Sequence, residues 1–327
     1  MMNAPFILLF GMPRSGTTWI GKIFDSHLRT LYRHEPDTRE RITAIPLIQD
    51  RNNSSEYCDF INSYVNDFVK SRDVSVVGKL PIFSKKYSSV PRHYAFYLSV
   101  LLSGAVSKLN SNVKLPAISP ADYESLDDHV VVWKSIQLLG RMGIIVDCLK
   151  ACKAIHILRH PCGYIASVLD GEKKNKFVSY TPASDDWDLY NVLLQTEQAR
   201  KYDLDIELFR TITPEERLAW RWVLFNEKAL DDNNNNENVM ILRYEDMCVS
   251  PLETTRSCFE FCNLEWNEQT ELFLNSSTQK ANESYYSVYK NPEIAAYKWK
   301  KTLTDIQIEL ISRVVEQSKI GGFYQNA

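Results

Sequence analysis

The 327-residue chain has no run of about 18 consecutive apolar residues, so no membrane-crossing helix is expected. Its apolar opening, residues 4 to 10, is too short for the hydrophobic part of a secretion signal and follows no charged segment. A cytoplasmic protein is the expectation. The longest nearly apolar stretch, Tyr94 to Leu109, is interrupted by Ser99, Ser103, Gly104 and Ser107. That pattern predicts a buried helix, with a membrane-surface or dimer helix as the second reading. Positive charge is not in excess either. A net charge of −3 gives no global attraction to nucleic acid, so any anion site must be built locally. The seven cysteines include no C-x-x-C pair and the six histidines no H-E-x-x-H, and no metal is expected. Cys148 and Cys152, like Cys258 and Cys262, are spaced as neighbours on a helix face, which favours buried free thiols over disulfides. Internal repeats are absent.

What is present is an alternation. Segments 5–10, 30–33, 129–134, 154–158 and 238–243 read as short buried strands, and 17–28, 136–150, 161–169, 214–230 and 251–262 as helices. Strands alternating with helices predict an α/β fold with a parallel sheet flanked by helices. Ligands of such sheets bind beyond the carboxyl ends of the strands. One rim would then carry Gly11 to Thr18, His34–Glu35, Lys134–Ser135 and Arg159–His160. Residues 37–128 and 170–213 break the alternation and are expected to be helical insertions covering that rim, within a single domain spanning 1–327.

The stretch from Phe6 to Trp19 (FILLFGMPRSGTTW) is P-loop-like: an apolar strand, Gly11, four residues, Gly16, and a helix opening on Thr17 and Thr18. A nucleoside triphosphatase would place a lysine after the second glycine, to span the β- and γ-phosphates, and a hydroxyl on magnesium. Thr17 occupies the lysine's place, and the nearest cation is Arg14. Backbone N–H groups at a helix start bind an oxyanion without that lysine, and a guanidinium offers a planar fork to it. Trp19 puts an aromatic face within reach of a base. Further on, Arg159 ends a strand, Pro161 suits the first turn of a helix, and Ser167 lies two turns along, an arrangement able to clamp a dianion. A structural ion pair at Arg159 and a surface Ser167 is the plain alternative.

These segments resemble the sulfotransferases that use 3′-phosphoadenosine 5′-phosphosulfate (PAPS). Arg14-Ser15-Gly16-Thr17-Thr18-Trp19 is similar to their [KR]-S-G-T-T-W loop, and Arg159 to Ser167 to their R-x-P-x-x-x-x-x-S motif. The resemblance implies that Arg14, Ser15, Gly16, Thr17 and Thr18 hold the 5′-phosphosulfate and that Trp19 packs on the adenine. It further implies that Arg159 and Ser167 hold the 3′-phosphate, with Trp299, Lys300 and Lys301 touching it; the lysine cluster at 298–301 is otherwise a solvated face. The segment 238–247 and Gly321 to Tyr324 resemble the family's YED segment and its glycine-aromatic end. Arg243 to Asp246 also reads as a structural knot of paired charges.

The resemblance extends to the chemistry. Lys134 corresponds to the family's strand-end lysine beside the sulfuryl group, and Arg14 to a cation at the bridging oxygen. The phenol-acting members carry K-T-H there, but Ile136 stands in the histidine's place. The carbohydrate-acting members carry Glu-Pro after the second strand, as Glu35-Pro36 does here, with Glu35 biased by Pro36 toward extended backbone. Glu35 is the first choice of general base and His34 the second. A small-molecule or glycan hydroxyl is the expected acceptor, most simply a sugar, and Tyr94, Phe96, Tyr97, Trp187 and Tyr190 are either sugar platforms or core. PAPS is the expected donor and PAP the product, without metal. A nucleotide kinase with an altered loop and a non-catalytic PAP sensor are the rival readings, and a homo-oligomer stays open.

Overall fold

The computed structural model describes residues 5–39, 41–110, 112–121, 129–149, 151–174, 181–279 and 292–324. Parts of the two expected insertions, at 122–128 and 175–180, fall outside them. Five strands form one parallel sheet: β1 (Phe6–Gly11), β2 (Thr30–His34), β3 (Val130–Ser135), β4 (Cys152–Leu158) and β5 (Val239–Arg243), in spatial order β2-β3-β1-β4-β5. The helices before β4 are α1 (Thr17–Asp25), α2 (Pro36–Arg39), α3 (Ser54–Val69), α4 (Val74–Val77), α5 (Val90–Leu109) and α6 (Met142–Cys148). Those after it are α7 (Pro161–Lys173), α8 (Trp187–Leu193), α9 (Glu197–Lys201), α10 (Ile206–Thr211), α11 (Pro214–Asp232), α12 (Tyr244–Val249) and α13 (Pro251–Phe261). The chain closes with α14 (Glu268–Gln279), α15 (Pro292–Tyr297), α16 (Trp299–Thr302) and α17 (Asp305–Glu316).

All five expected strands form: the inner strands β1, β3 and β4 are mostly apolar and covered on both faces, whereas the edge strand β5 is half-exposed. Phe6, Leu8 and Phe10 of β1 join Val131, Trp133, Ala154 and Leu158 in one core. Ile7 and Leu9 join Val130, Val132, Ile155 and Ile157 in the other. The alternation is the period of two that a strand imposes. In the first core Phe68 of α3 packs on Trp133 with ring centroids 4.8 Å apart, so the first insertion contributes a helix to the sheet's cover. Buried Arg33 on β2 donates to the carbonyls of Phe68 and Val69, answering the unpaired acceptors at the end of α3.

Two expectations are corrected here. The first concerns the thiols. Cys58 on α3 and Cys148 on α6 form a disulfide, while Cys152, Cys162, Cys248, Cys258 and Cys262 are free and buried. Cys148 and Cys152 do not share a helix face, since one ends α6 and the other begins β4. Ninety residues separate the bonded pair, so local spacing carried no sign of it. With the bond goes the inference from reduced thiols to a reducing compartment.

The second concerns α5. It is a helix, but it is mostly exposed: Phe96, Val100 and Ser103 are its buried residues, whereas Val90, Tyr94, Leu98, Leu101, Leu102 and Leu109 face outward. The interrupting serines explain the orientation. Ser99 Oγ accepts from the Ile118 N–H at 2.9 Å, and Ser103 and Ser107 donate to the carbonyls of Leu115 and Val113. The stripe tethers the returning chain, and that polar stripe occupies the inner side where more apolar contacts would be needed to bury the helix. Among the described residues no helix is long and apolar enough to cross a membrane.

Candidate active site

All strands run the same way, so the segments leaving β1, β2, β3 and β4 emerge on one rim, as the alternation predicted. Lys134 lies in register with Leu9 of β1 and His34 of β2, a strand spacing of about 4.8 Å from each. Gly11, two residues past Leu9, opens the loop into α1.

That loop is held in an unusual backbone. Arg14 has φ 73° and Gly16 φ 78°, both left-handed. Ser15 and Thr17 are buried, while Arg14, Gly16 and Thr18 are half-buried. The first N–H groups of α1 have no acceptor within the helix, and together with the helix dipole they make an anion-binding mouth. Gly16 is demanded twice, since a Cβ there would lie 2.2 Å from Tyr244 Cδ2. Trp19 is buried, donates to Ser277 Oγ at 3.1 Å, and meets Tyr244 edge-on.

The loop and the distant motif meet directly. Arg14 Nε donates to Ser167 Oγ at 2.9 Å, and Arg159 Nη1 donates to the Arg14 carbonyl at 2.6 Å. The Arg159 guanidinium also lies over the Tyr244 ring, 4.9 Å from its centroid. His160 caps α7 by accepting from the Cys162 N–H and stacks on Trp299 at 4.5 Å. Gly163, on the first turn of α7, leaves room between Arg159 Nε and the Trp299 ring, which a Cβ would approach to 3.0 and 3.4 Å. Arg159 Nε and Trp299 Nε1 are both buried with no hydrogen-bond partner among the described residues. Two orphan donors beside one glycine are suited to an anion. Lys300 is exposed and lies over the rings of Tyr297 and Trp299, and Lys301 is exposed on α16.

Glu35 and Lys134 form an ion pair at the ends of β2 and β3. Lys134 is buried, and burial pushes its ammonium below the usual lysine range against the pull of Glu35. The expectation of extended backbone at Glu35 is corrected: its φ is +47°. Its N–H donates to the Lys134 carbonyl at 2.8 Å and its carbonyl accepts from the Thr38 N–H at 3.1 Å, so the chain folds straight from β2 into α2. Those two bonds outweigh the bias that Pro36 imposes. Non-glycine left-handed residues cost energy and gather at functional sites, and Arg14 and Glu35 are two of them. His34 Nε2 lies 3.8 Å from Glu35 Oε1, and Nδ1 is 2.9 Å from the Tyr32 hydroxyl. Burial, then Lys134, Lys79 and Lys22, hold the imidazole well below its ordinary range, so it is neutral.

Several supporting residues escaped the motifs. Asp37, buried, accepts from Trp133 Nε1 and Ser135 Oγ and so fixes the end of β3. Tyr244 seats both Gly16 and Arg159. Glu245 accepts from the His160 N–H and the Tyr324 hydroxyl, so the charged knot at 243–246 braces the start of α7. A tyrosine and an acid directly after a strand were the available signal. Beside Arg14 a cavity of about 560 Å³ is lined by Pro13, Tyr164, Val168, Trp187 and Arg221 among others. Of the five candidate aromatic platforms, Trp187 lines it; Phe96 and Tyr190 are core, and Tyr94 and Tyr97 sit on the outer side of α5.

The chain is similar to several solved structures. The sulfotransferase domain of the Synechococcus PCC 7002 olefin synthase is 13% identical over 96% of this chain and 95% of that one, with a TM-score of 0.42. The sulfotransferase domain from the curacin biosynthetic pathway is 13% identical over 97% and 98%, with a TM-score of 0.44. Mouse sulfotransferase SULT7A1 complexed with PAP is 13% identical over 97% and 85%, at 0.41. No curated protein matches the chain. The family described as the sulfotransferase domain matches residues 5–323, from the first strand to the turn before Tyr324, and the chain therefore belongs to the sulfotransferase family.

Proposed function

We propose that the chain transfers a sulfuryl group from PAPS to an aliphatic hydroxyl, most simply that of a sugar. The observation that carries this reading is the Glu35–Lys134 pair, a carboxylate and a buried ammonium held one strand spacing from the loop that opens at Gly11. PAPS, when bound, supplies an activated sulfuryl group on a single phosphate.

The residues fit that donor. The start of α1, with Ser15, Gly16, Thr17, Thr18 and Arg14, offers donors for the 5′-phosphosulfate and no lysine for a γ-phosphate. Arg159 Nε and Trp299 Nε1, the two orphan donors, suit the 3′-phosphate, with Ser167 close by through Arg14. Lys300 and Lys301 add charge at the exposed edge, and Trp19 borders the adenine side. Lys134 and Arg14 contribute fixed positive charge where negative charge develops, which is most effective in a site sheltered from water.

Glu35 takes the acceptor's proton. His34 is the weaker choice, because its depressed basicity leaves it little driving force for proton removal. The absence of a K-T-H histidine, with Ile136 in its place, favours an alcohol over a phenol.

The test is incubation with labelled PAPS and pooled hydroxyl acceptors, read by mass spectrometry. Glu35→Gln is expected to lower turnover by about 10²–10⁴-fold with PAP affinity by calorimetry unchanged. Magnesium-dependent ATP binding without PAP binding overturns the reading, and full turnover in Glu35→Gln removes Glu35 as the base.

A further inference from the structure

The outer face of α5 belongs to neither core nor site. The helix has 20 residues, a length of about 30 Å. At about 100° per residue, Tyr94, Leu98, Leu101 and Leu102 lie opposite the serine stripe that binds the returning chain. They are exposed, Leu98 at 61% and Leu102 at 58%, and Val90 and Leu109 extend the strip at its two ends, at 68% and 90%. Isolated exposed apolar residues are ordinary, but a continuous strip along a whole helix marks a contact surface.

Charge selects what covers it. From residue 74 to residue 121 there are six lysines and arginines and no aspartate or glutamate, in a chain whose net charge is −3. Four of the six, Lys86, Arg92, Lys108 and Lys114, are exposed. A second copy of the chain is a poor occupant, because a twofold contact through α5 brings two copies of this wholly cationic segment together with no carboxylate on it to pair them. An apolar strip with tyrosines, bordered by Lys108 and carried on a segment of positive charge alone, is instead complementary to an anionic bilayer surface, where rings and leucines enter the headgroup boundary and cations meet phosphates.

We infer that α5 lies on an anionic lipid surface and holds the protein there peripherally. The strip inserts, Lys108 beside it meets the phosphates, and Lys86, Arg92 and Lys114 add attraction at longer range. Nothing in this inference depends on the donor or acceptor proposed above.

The test is flotation of the full chain with phosphatidylcholine vesicles containing a minor fraction of phosphatidylglycerol, against phosphatidylcholine alone. Binding is expected with the anionic vesicles and is expected to weaken as salt rises. Arg92→Glu with Lys108→Glu is expected to cut partitioning by about 30-fold or more, from roughly a fivefold loss per cation. Leu98→Glu with Leu102→Glu is expected to cut it by about 100-fold, with an unchanged unfolding midpoint because both side chains are already exposed. Failure to float with anionic vesicles overturns the inference, as does undiminished binding of the leucine variant. A concentration-dependent dimer in sedimentation velocity that the leucine variant abolishes assigns the strip to a second copy instead.

Discussion

Gly16→Ala tests the loop at its tightest point. The residue has φ 78°, and its added Cβ would lie 2.2 and 2.3 Å from Tyr244 Cδ2 and Cε2. Left-handed backbone costs a non-glycine residue about 1 kcal/mol. The ring cannot yield freely: it is buried, Trp19 packs against it edge-on, and the Arg159 guanidinium lies over it. Overpacking of that kind adds about 1–3 kcal/mol, for a total of roughly 2–4 kcal/mol. The assay is urea unfolding of Gly16→Ala, Tyr244→Ala and the double variant. Without the ring the glycine substitution costs only its backbone part, so the cycle is expected to show a coupling of about 1–3 kcal/mol. Strict additivity would refute the steric reasoning and leave φ alone to explain the glycine.

Three further outcomes are expected. Trp299→Phe keeps the stack on His160 and removes the orphan N–H, so PAP affinity falls about tenfold or more while AMP, which lacks the 3′-phosphate, binds as before; equal losses for both nucleotides refute the assignment. His156, buried against Asn226 Oδ1, has its pKa lowered by burial from 6.5 to about 4. Its neutral form therefore stabilises the fold above pH 6.5, and that stability is lost as pH falls toward 4; His156→Gln is expected to flatten the decline in this window by about 1.4 kcal/mol per pH unit, and an unchanged slope in urea titrations counts against it. Alkylation in urea followed by mass spectrometry is expected to label five cysteines without reductant and seven with it; seven without reductant rules out the disulfide.

Much of the frame could be read from the chain because parallel strands buried on both faces are written as short apolar runs with turn residues after them. Each of the five runs became a strand within a residue or two at most ends. The rim followed from their common direction, and the loop from two glycines at a fixed distance. What the sequence hid depends on long-range contact. Cys58 meets Cys148 because α3 packs on α6, which no spacing encodes. The apolar content of α5 predicted burial, but whether a helix is covered depends on neighbours, and its serines had already engaged the inner side. Glu35 illustrates the limit of local preference, since two backbone hydrogen bonds override the conformation that Pro36 favours. Tyr244 was visible only as part of a charged cluster, and its seat against Gly16 exists only once β5 lies beside β4.

The contact between Glu245 and Tyr324 bears on how the molecule is made. The Tyr324 hydroxyl donates to one oxygen of Glu245, whose other oxygen accepts from the His160 N–H where α7 begins. During synthesis the Gly16 loop and α7 leave the ribosome long before Tyr324 does. Until it arrives, Glu245 lacks one of its two partners and the ring beside His160 is missing. The strands can pair early, whereas the brace behind Arg159 is completed only by a segment that emerges 79 residues after Glu245. Competence to hold a ligand is therefore expected to follow the formation of the sheet rather than accompany it.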